Sequence, residues 1–175
     1  VLMTIKKYMN NNRFQQIAVG LTVLLIVVGL YYYYRIPPAI SISRLALKTL
    51  DGKPFPNSIL RNKVVIVDFY QTWCGPCMAE LPELAKTAEL YPDDMGVICL
   101  SDEDSTKLID LANKYADSKI IFLQTVNPLK GLGVHTYPTN YIFDRQGKKV
   151  FEKTGPVDWP SSEMMMFYKN LIAGN

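Results

Sequence analysis

Hydrophobic positions along this chain form one long unbroken run and then a series of short ones. Residues 17–34, IAVGLTVLLIVVGLYYYY, carry no charge over 18 positions. As a helix rising 1.5 Å per residue they would reach about 27 Å. Beyond them the runs shorten and their period changes. Residues 46–50 read as a strand closed by a turn at Asp51-Gly52-Lys53. Residues 64–70, VVIVDFY, are β-branched enough for a buried central strand, in which Asp68 is the one charged position. Leu81, Leu84, Ala85 and Ala88 recur near helical spacing within residues 77–91, with Pro82 as an expected kink. A strand follows over 96–101. The acidic trio Asp102-Glu103-Asp104 with Ser105 suits the first turn of a helix reaching about residue 115, so it reads as a cap and not as a metal site. Residues 120–124 form a further strand, and 140–144 with 148–153 a hairpin about Arg145-Gln146-Gly147. A last helix is expected over 161–172. Strands alternating with helices and ending in a hairpin predict an α/β fold with a mixed sheet flanked by helices.

Composition changes this picture in two places. With 49% hydrophobic and 20% charged residues in 175, the chain can bury one core. Residues 1–35 hold Lys6, Lys7, Arg13 and Arg35 and no acid, which leaves the body with 15 basic against 16 acidic side chains. No broad basic face remains to neutralise phosphates, so a nucleic-acid role is set aside. The long run, followed by tyrosines and Arg35, predicts a retained transmembrane anchor with lipid as its partner over 17–34. Its length, the bulky tyrosines and the Pro37-Pro38 pair argue against a cleaved signal peptide. The expected organisation is a basic tail over 1–16, the anchor over 17–34, a stiff linker over 35–43 and a folded domain over 44–175. Positive charges are balanced on the two sides of the run. A short basic tail before a first apolar helix then suggests a single pass through a bacterial cytoplasmic membrane, with the C-terminal domain in the periplasm or outside.

Candidate chemistry sits in Trp73-Cys74-Gly75-Pro76-Cys77, at a strand-to-helix junction. Unsatisfied N–H groups at a helix start favour the thiolate of Cys74, the attacking form. Cys77 lies one turn on, near enough to displace a mixed disulfide and close a Cys74–Cys77 bridge, which makes the pair a reversible two-electron carrier that needs no separate cofactor. Gly75 and Pro76 tighten the turn between them. Half of a zinc site is the rival reading, but the only other ligand candidates are Cys99 and His135, and they lack a paired spacing.

The segment VDFYQTWCGPC resembles the active-site strand and helix start of thioredoxins. That resemblance implies the thioredoxin fold, an acidic residue six before the first cysteine, here Asp68, and a helix proline, here Pro82. It also implies that Tyr137-Pro138-Thr139 is the cis-proline loop facing the disulfide. The chain further resembles membrane-anchored, extracytoplasmic thioredoxin-like proteins of the TlpA and ResA type. The 61 positions between Cys77 and Pro138 leave room for their inserted helix-strand unit, and Glu80 stands where these proteins often carry an active-site glutamate. Members devoted to cytochrome c maturation often have an acidic residue after the loop proline, whereas this chain has Thr139.

Asp68 in an apolar strand would be desolvated, its pKa raised, and it would be a proton acceptor for Cys77. Glu80 is a secondary candidate for tuning the thiols, with a solvated helix residue as its plain alternative. Trp73, Gly75, Pro76, Tyr137, Pro138 and Thr139 are expected to meet the substrate. Cys99 reads as a small buried apolar side chain, His135 as a loop residue, Met164-Met165-Met166 as a helix with one buried face, and Trp159 as a packing residue. The expected function is reduction of disulfides in client proteins, re-energised by a membrane thiol-transfer donor. Its rivals are a non-catalytic subunit or chaperone of a membrane complex, and a thiol peroxidase.

Overall fold

In the computed structural model, which describes residues 2–35 and 45–174 and the side chains of residues 15–31 and 45–174, the short runs become β1 (Leu47–Lys48), β2 (Val64–Phe69), β3 (Met95–Ser101), β4 (Ile120–Thr125), β5 (Thr139–Phe143) and β6 (Lys149–Thr154). The helices are α1 (Leu2–Arg35), α2 (Gly75–Leu90), α3 (Ser105–Lys114) and α4 (Ser162–Ala173). Most expected elements shift by a residue or two. The first strand shrinks to two residues, because Lys48 then turns into a bridge with Pro54 and Gly52 takes a left-handed φ of 83°. Two short 3-10 turns, Asn57–Leu60 and Leu129–Leu132, had no periodic signal to announce them.

The strands pair in the order β1-β4-β3-β2-β5-β6. β2, β3 and β4 run parallel, while β1, β5 and β6 are antiparallel to their neighbours. The helix α3 and strand β4 occupy the extra length between Cys77 and the Tyr137-Pro138 loop. Side chains alternate across β2 with period two. Val64, Ile66 and Tyr70 pack with Leu81 and Leu84 of α2 and Tyr168 of α4, and Val65, Val67 and Phe69 pack on the other face with Leu47, Leu60 and Leu129. Local sequence starts each helix: Asp104 accepts from Thr106 N at 2.9 Å, Ser161 from Met164 N at 3.3 Å, and Cys74 caps α2. The hairpin turn is held by Asp144, whose Oδ1 accepts from Gln146 N and Lys148 N, with Gly147 at φ 76°.

The chain divides into two units, Val1–Pro38 and Ala39–Asn175. In the first, every described side chain from residue 15 to 31 is exposed. Here the sequence expectation is corrected. Among the described residues no helix is long and apolar enough to cross a membrane. The transmembrane helix added to the fold, the membrane anchoring attached to the family resemblance, the lipid partner over 17–34 and the single-pass placement with its outward domain are therefore withdrawn. The membrane thiol-transfer donor, inferred from that placement, goes with them. The expected linker over 35–43 lies, apart from Arg35, outside the described residues.

Candidate active site

Parallel β2, paired on both sides, delivers the chain at Phe69 to the end of the sheet formed by the C-termini of the parallel strands, and the loop 70–73 hands it to α2. Two acids hold that loop. Glu103 accepts from Thr72 N at 2.5 Å and from Thr72 Oγ1 at 3.0 Å, and Asp102 accepts from Gln71 Nε2 at 2.7 Å and from Leu129 N at 2.9 Å. Of the acidic trio only Asp104 caps a helix; the other two brace the approach to the cysteines. Sequence reading missed this, because the partners lie 31 residues away in the case of Gln71 and Thr72.

Cys74 is the N-cap of α2 and is bonded to Cys77 in a disulfide. Its Sγ accepts from Cys77 N at 3.2 Å, so the sulfur already sits on the unsatisfied N–H groups and positive end of the helix. Cys77 is fully buried and Cys74 nearly so. Pro76 occupies the first turn, where its missing N–H costs nothing. At the same end of the sheet, where Thr139 pairs with Phe69, the Tyr137-Pro138 peptide is cis. Pro138 O accepts from Gly155 N at 2.8 Å, and Thr139 Oγ1 donates to Thr136 O at 2.7 Å. Trp73, 71% exposed, meets the ring of Tyr137 edge to face with centroids 5.9 Å apart. The two rings border an open groove of about 610 Å³ that also takes in Gln71, Lys130 and His135.

Behind the bridge, on the α2 side of the sheet, lies a buried polar group. Asp68 is fully buried, with Cys99 opposite it on β3 and Asn140 opposite it on β5. Neither carboxyl oxygen of Asp68 has a hydrogen-bond partner. Burial pushes its pKa well above the usual carboxylate value and the negative charge of Glu80 adds to the rise, against a smaller opposing effect of the Cys99 thiol. Glu80 is also buried, unlike a solvated helix residue. Its Oε1 accepts from Asn140 Nδ2 at 3.2 Å, from Val157 N at 3.2 Å and from Trp159 Nε1, while its Oε2 has no partner. Burial raises the Glu80 pKa, and those donors oppose the rise. Cys99 is a free, buried thiol whose pKa burial pushes well up, with the charges of Asp68 and Glu80 adding to it, so it stays protonated.

The fold thus brings Cys74, Cys77, Trp73, Gly75, Pro76, Tyr137, Pro138 and Thr139 to one end of the sheet, with Asp68 and Glu80 beneath. Asn140 went unnoticed in the sequence, although a lone amide in the buried strand TNYIF is the same signal that singled out Asp68. Chemically, the bridge can open and reclose by thiol–disulfide exchange, a two-electron step.

Comparison with known proteins agrees with that chemistry. A family model described as Redoxin matches residues 35–165. The thioredoxin-like protein YneN of Bacillus subtilis is 30% identical over 106 residues, covering 58% of this chain and 62% of its own length. The thiol-disulfide oxidoreductase ResA of Bacillus thuringiensis is 32% identical over 112 residues, covering 61% and 63%. This chain therefore spans a little under two thirds of either relative. Among solved structures, the pneumococcal exposed lipoprotein thioredoxin Etrx1 of Streptococcus pneumoniae superposes with a TM-score of 0.56 at 26% identity, over 71% of this chain and 96% of the other.

Proposed function

The chain belongs to the Redoxin family, and from that membership and the closed Cys74–Cys77 bridge we infer that it is an enzyme, a thiol:disulfide oxidoreductase, whose task is the reduction of disulfides in protein clients. The single observation that carries the reading is the bridge itself, with Cys74 as N-cap sulfur of α2.

In the reduced protein the Cys74 thiolate attacks one sulfur of a client disulfide. The client's other sulfur leaves as a thiolate and takes a proton from solvent. Cys77 then gives its proton to Asp68 and attacks Cys74 Sγ, so the Cys74–Cys77 bond forms and the second client thiolate departs. Two electrons have moved from the pair to the client, and a thiol donor must restore them. The backbone of Gly75-Pro76 and the surface of Trp73, Tyr137, Pro138 and Thr139 would seat the extended client segment. Glu80, buried one turn along α2 from Cys77, would set the field in which Cys77 loses its proton.

The test is a trap. Cys77→Ser removes the resolving sulfur, so clients should accumulate as mixed disulfides on Cys74 and be released by added reductant. A Cys77→Ser protein that holds no client while Cys74 remains reactive to alkylation overturns the reading. A redox titration checks direction: a potential as oxidising as the roughly −120 mV of a strong disulfide donor would reverse it.

A further inference from the structure

Between the two buried acids lies a side chain that the mechanism above does not use. Asn140 stands directly opposite Asp68 in the antiparallel β2/β5 pairing, where Cβ atoms are about 4.5–5.5 Å apart, and it is fully buried. Its Nδ2 donates to Glu80 Oε1 at 3.2 Å and to Gly155 O at 3.5 Å. Both amide protons therefore go to acceptors. That settles which way the amide lies, because the flipped orientation would set its carbonyl against a carboxylate and a backbone carbonyl. Asn140 Oδ1 is left buried with no donor, as are both oxygens of Asp68 and Oε2 of Glu80. Buried acceptors without donors are costly, and a proton held on a carboxyl supplies the donor they lack.

We propose that Asn140 is a positioning residue that joins Asp68 and Glu80 into one proton-holding unit: its amide N–H holds Glu80 as the carboxylate, and its Oδ1 accepts from the Asp68 carboxyl once that group has taken the proton of Cys77. The proposal rests on the reading of Asp68 as the proton acceptor. The proton leaves Cys77 Sγ as the bond to Cys74 Sγ forms, the electron pair of the Cys74–client bond leaves with the client sulfur, and the proton stays on Asp68 while the bridge is closed. The groups that face this unit are Cys99 from β3 and Tyr70 beyond the end of β2, which interact with Asp68, and Tyr168 from α4 and Glu83 of α2, which interact with Glu80. Burial raises both acids and the Asn140 bond opposes the rise at Glu80 alone, so the proton belongs on Asp68.

Carboxyl ¹³C NMR of the oxidised full chain follows the two acids separately as pH is varied. In Asn140→Leu the Glu80 midpoint should move up, having lost a donor to its charged form, and the Asp68 midpoint down, having lost an acceptor for its neutral form. Each shift should be about one pH unit. The pH profile of the resolving step should move with Asp68. Asn140→Thr, whose single hydroxyl cannot bridge both acids, should give the same opposed signs if the leucine variant does not fold. Midpoints that move together or not at all in a folded variant overturn the proposal, and so does failure of both variants to fold, which would make Asn140 a purely structural residue. Asp68→Asn run in parallel separates the two claims. If it leaves the resolving step's pH profile unchanged, the reading of Asp68 as acceptor fails and this proposal with it. If it changes the profile while the Asn140 variants titrate like the parent, only the role of Asn140 fails.

Discussion

The indole Nε1 of Trp159 donates to Oε1 of Glu80, joining the segment that leads into α4 to the second turn of α2 across 79 residues of sequence. Both groups are buried. The bond does for Glu80 what water would do at the surface, and it is one of three donors on the same oxygen.

Trp159→Phe keeps most of the packing and removes that donor. It should cost about 0.5–1.5 kcal/mol of stability near neutral pH, the range for losing one hydrogen bond while Asn140 and Val157 still donate to the same oxygen. The loss should grow as pH rises above the ordinary glutamate value of 4.5. The bond favours the charged form, so without it the folded-state pKa climbs further and the folded state is penalised more in the alkaline direction. Urea melts of wild type and variant at pH 4.5 and pH 7.5 check this, and an equal difference at both values contradicts it.

Asp68→Asn should stabilise the protein while slowing it. Burial holds the Asp68 pKa well above 3.8 in the fold, so above that value the folded state binds more protons than the unfolded one and stability falls as pH rises through the window. Asparagine does not titrate. The gain in Tm over wild type should therefore be larger at pH 8 than at pH 4, while resolution of a mixed disulfide slows by about 10²-fold or more, as loss of a positioned base does. A variant whose Tm gain is the same at both pH values, or whose resolution rate is untouched, speaks against the buried acid as described.

Trp73→Ala should separate recognition from chemistry. With the indole 71% exposed, its removal should change stability by no more than about 0.5 kcal/mol. It also takes away the ring that meets Tyr137. The expected result is a raised KM for a folded client with a nearly unchanged rate toward a small aromatic disulfide. Equal losses on both substrates would show that the indole acts on the sulfurs and not on the client.

Legibility in the sequence followed range. The strand order could not be read, but the elements could: Val64–Phe69 announces itself by β-branching, and the last helix, expected over 161–172, forms over Ser162–Ala173. Asp68 was visible because a charge in an apolar strand has to be explained locally. Glu80 was ambiguous because a glutamate on a helix can equally face water, and only the arrival of Asn140, Val157 and Trp159 from 60, 77 and 79 residues away makes it a buried carboxylate. Asp102 and Glu103 misled for the same reason. An acid before a helix suits a cap, and nothing nearby in sequence shows that Gln71 and Thr72 will reach it first. The apolar run over 17–34 misled in another way, since absence of charge suggested a span that the described helix does not provide.

By itself the sequence determined the cysteine pair, its place at a helix start and the βα alternation around it, because each depends on spacing within a few residues and on backbone geometry that repeats. Only the tertiary structure decided what stands behind the sulfurs. Asp68, Cys99 and Asn140 meet because β3 and β5 flank β2 in register, and burial of two acids beside one amide is a property of that packing, in which distance through space bears no relation to distance along the chain.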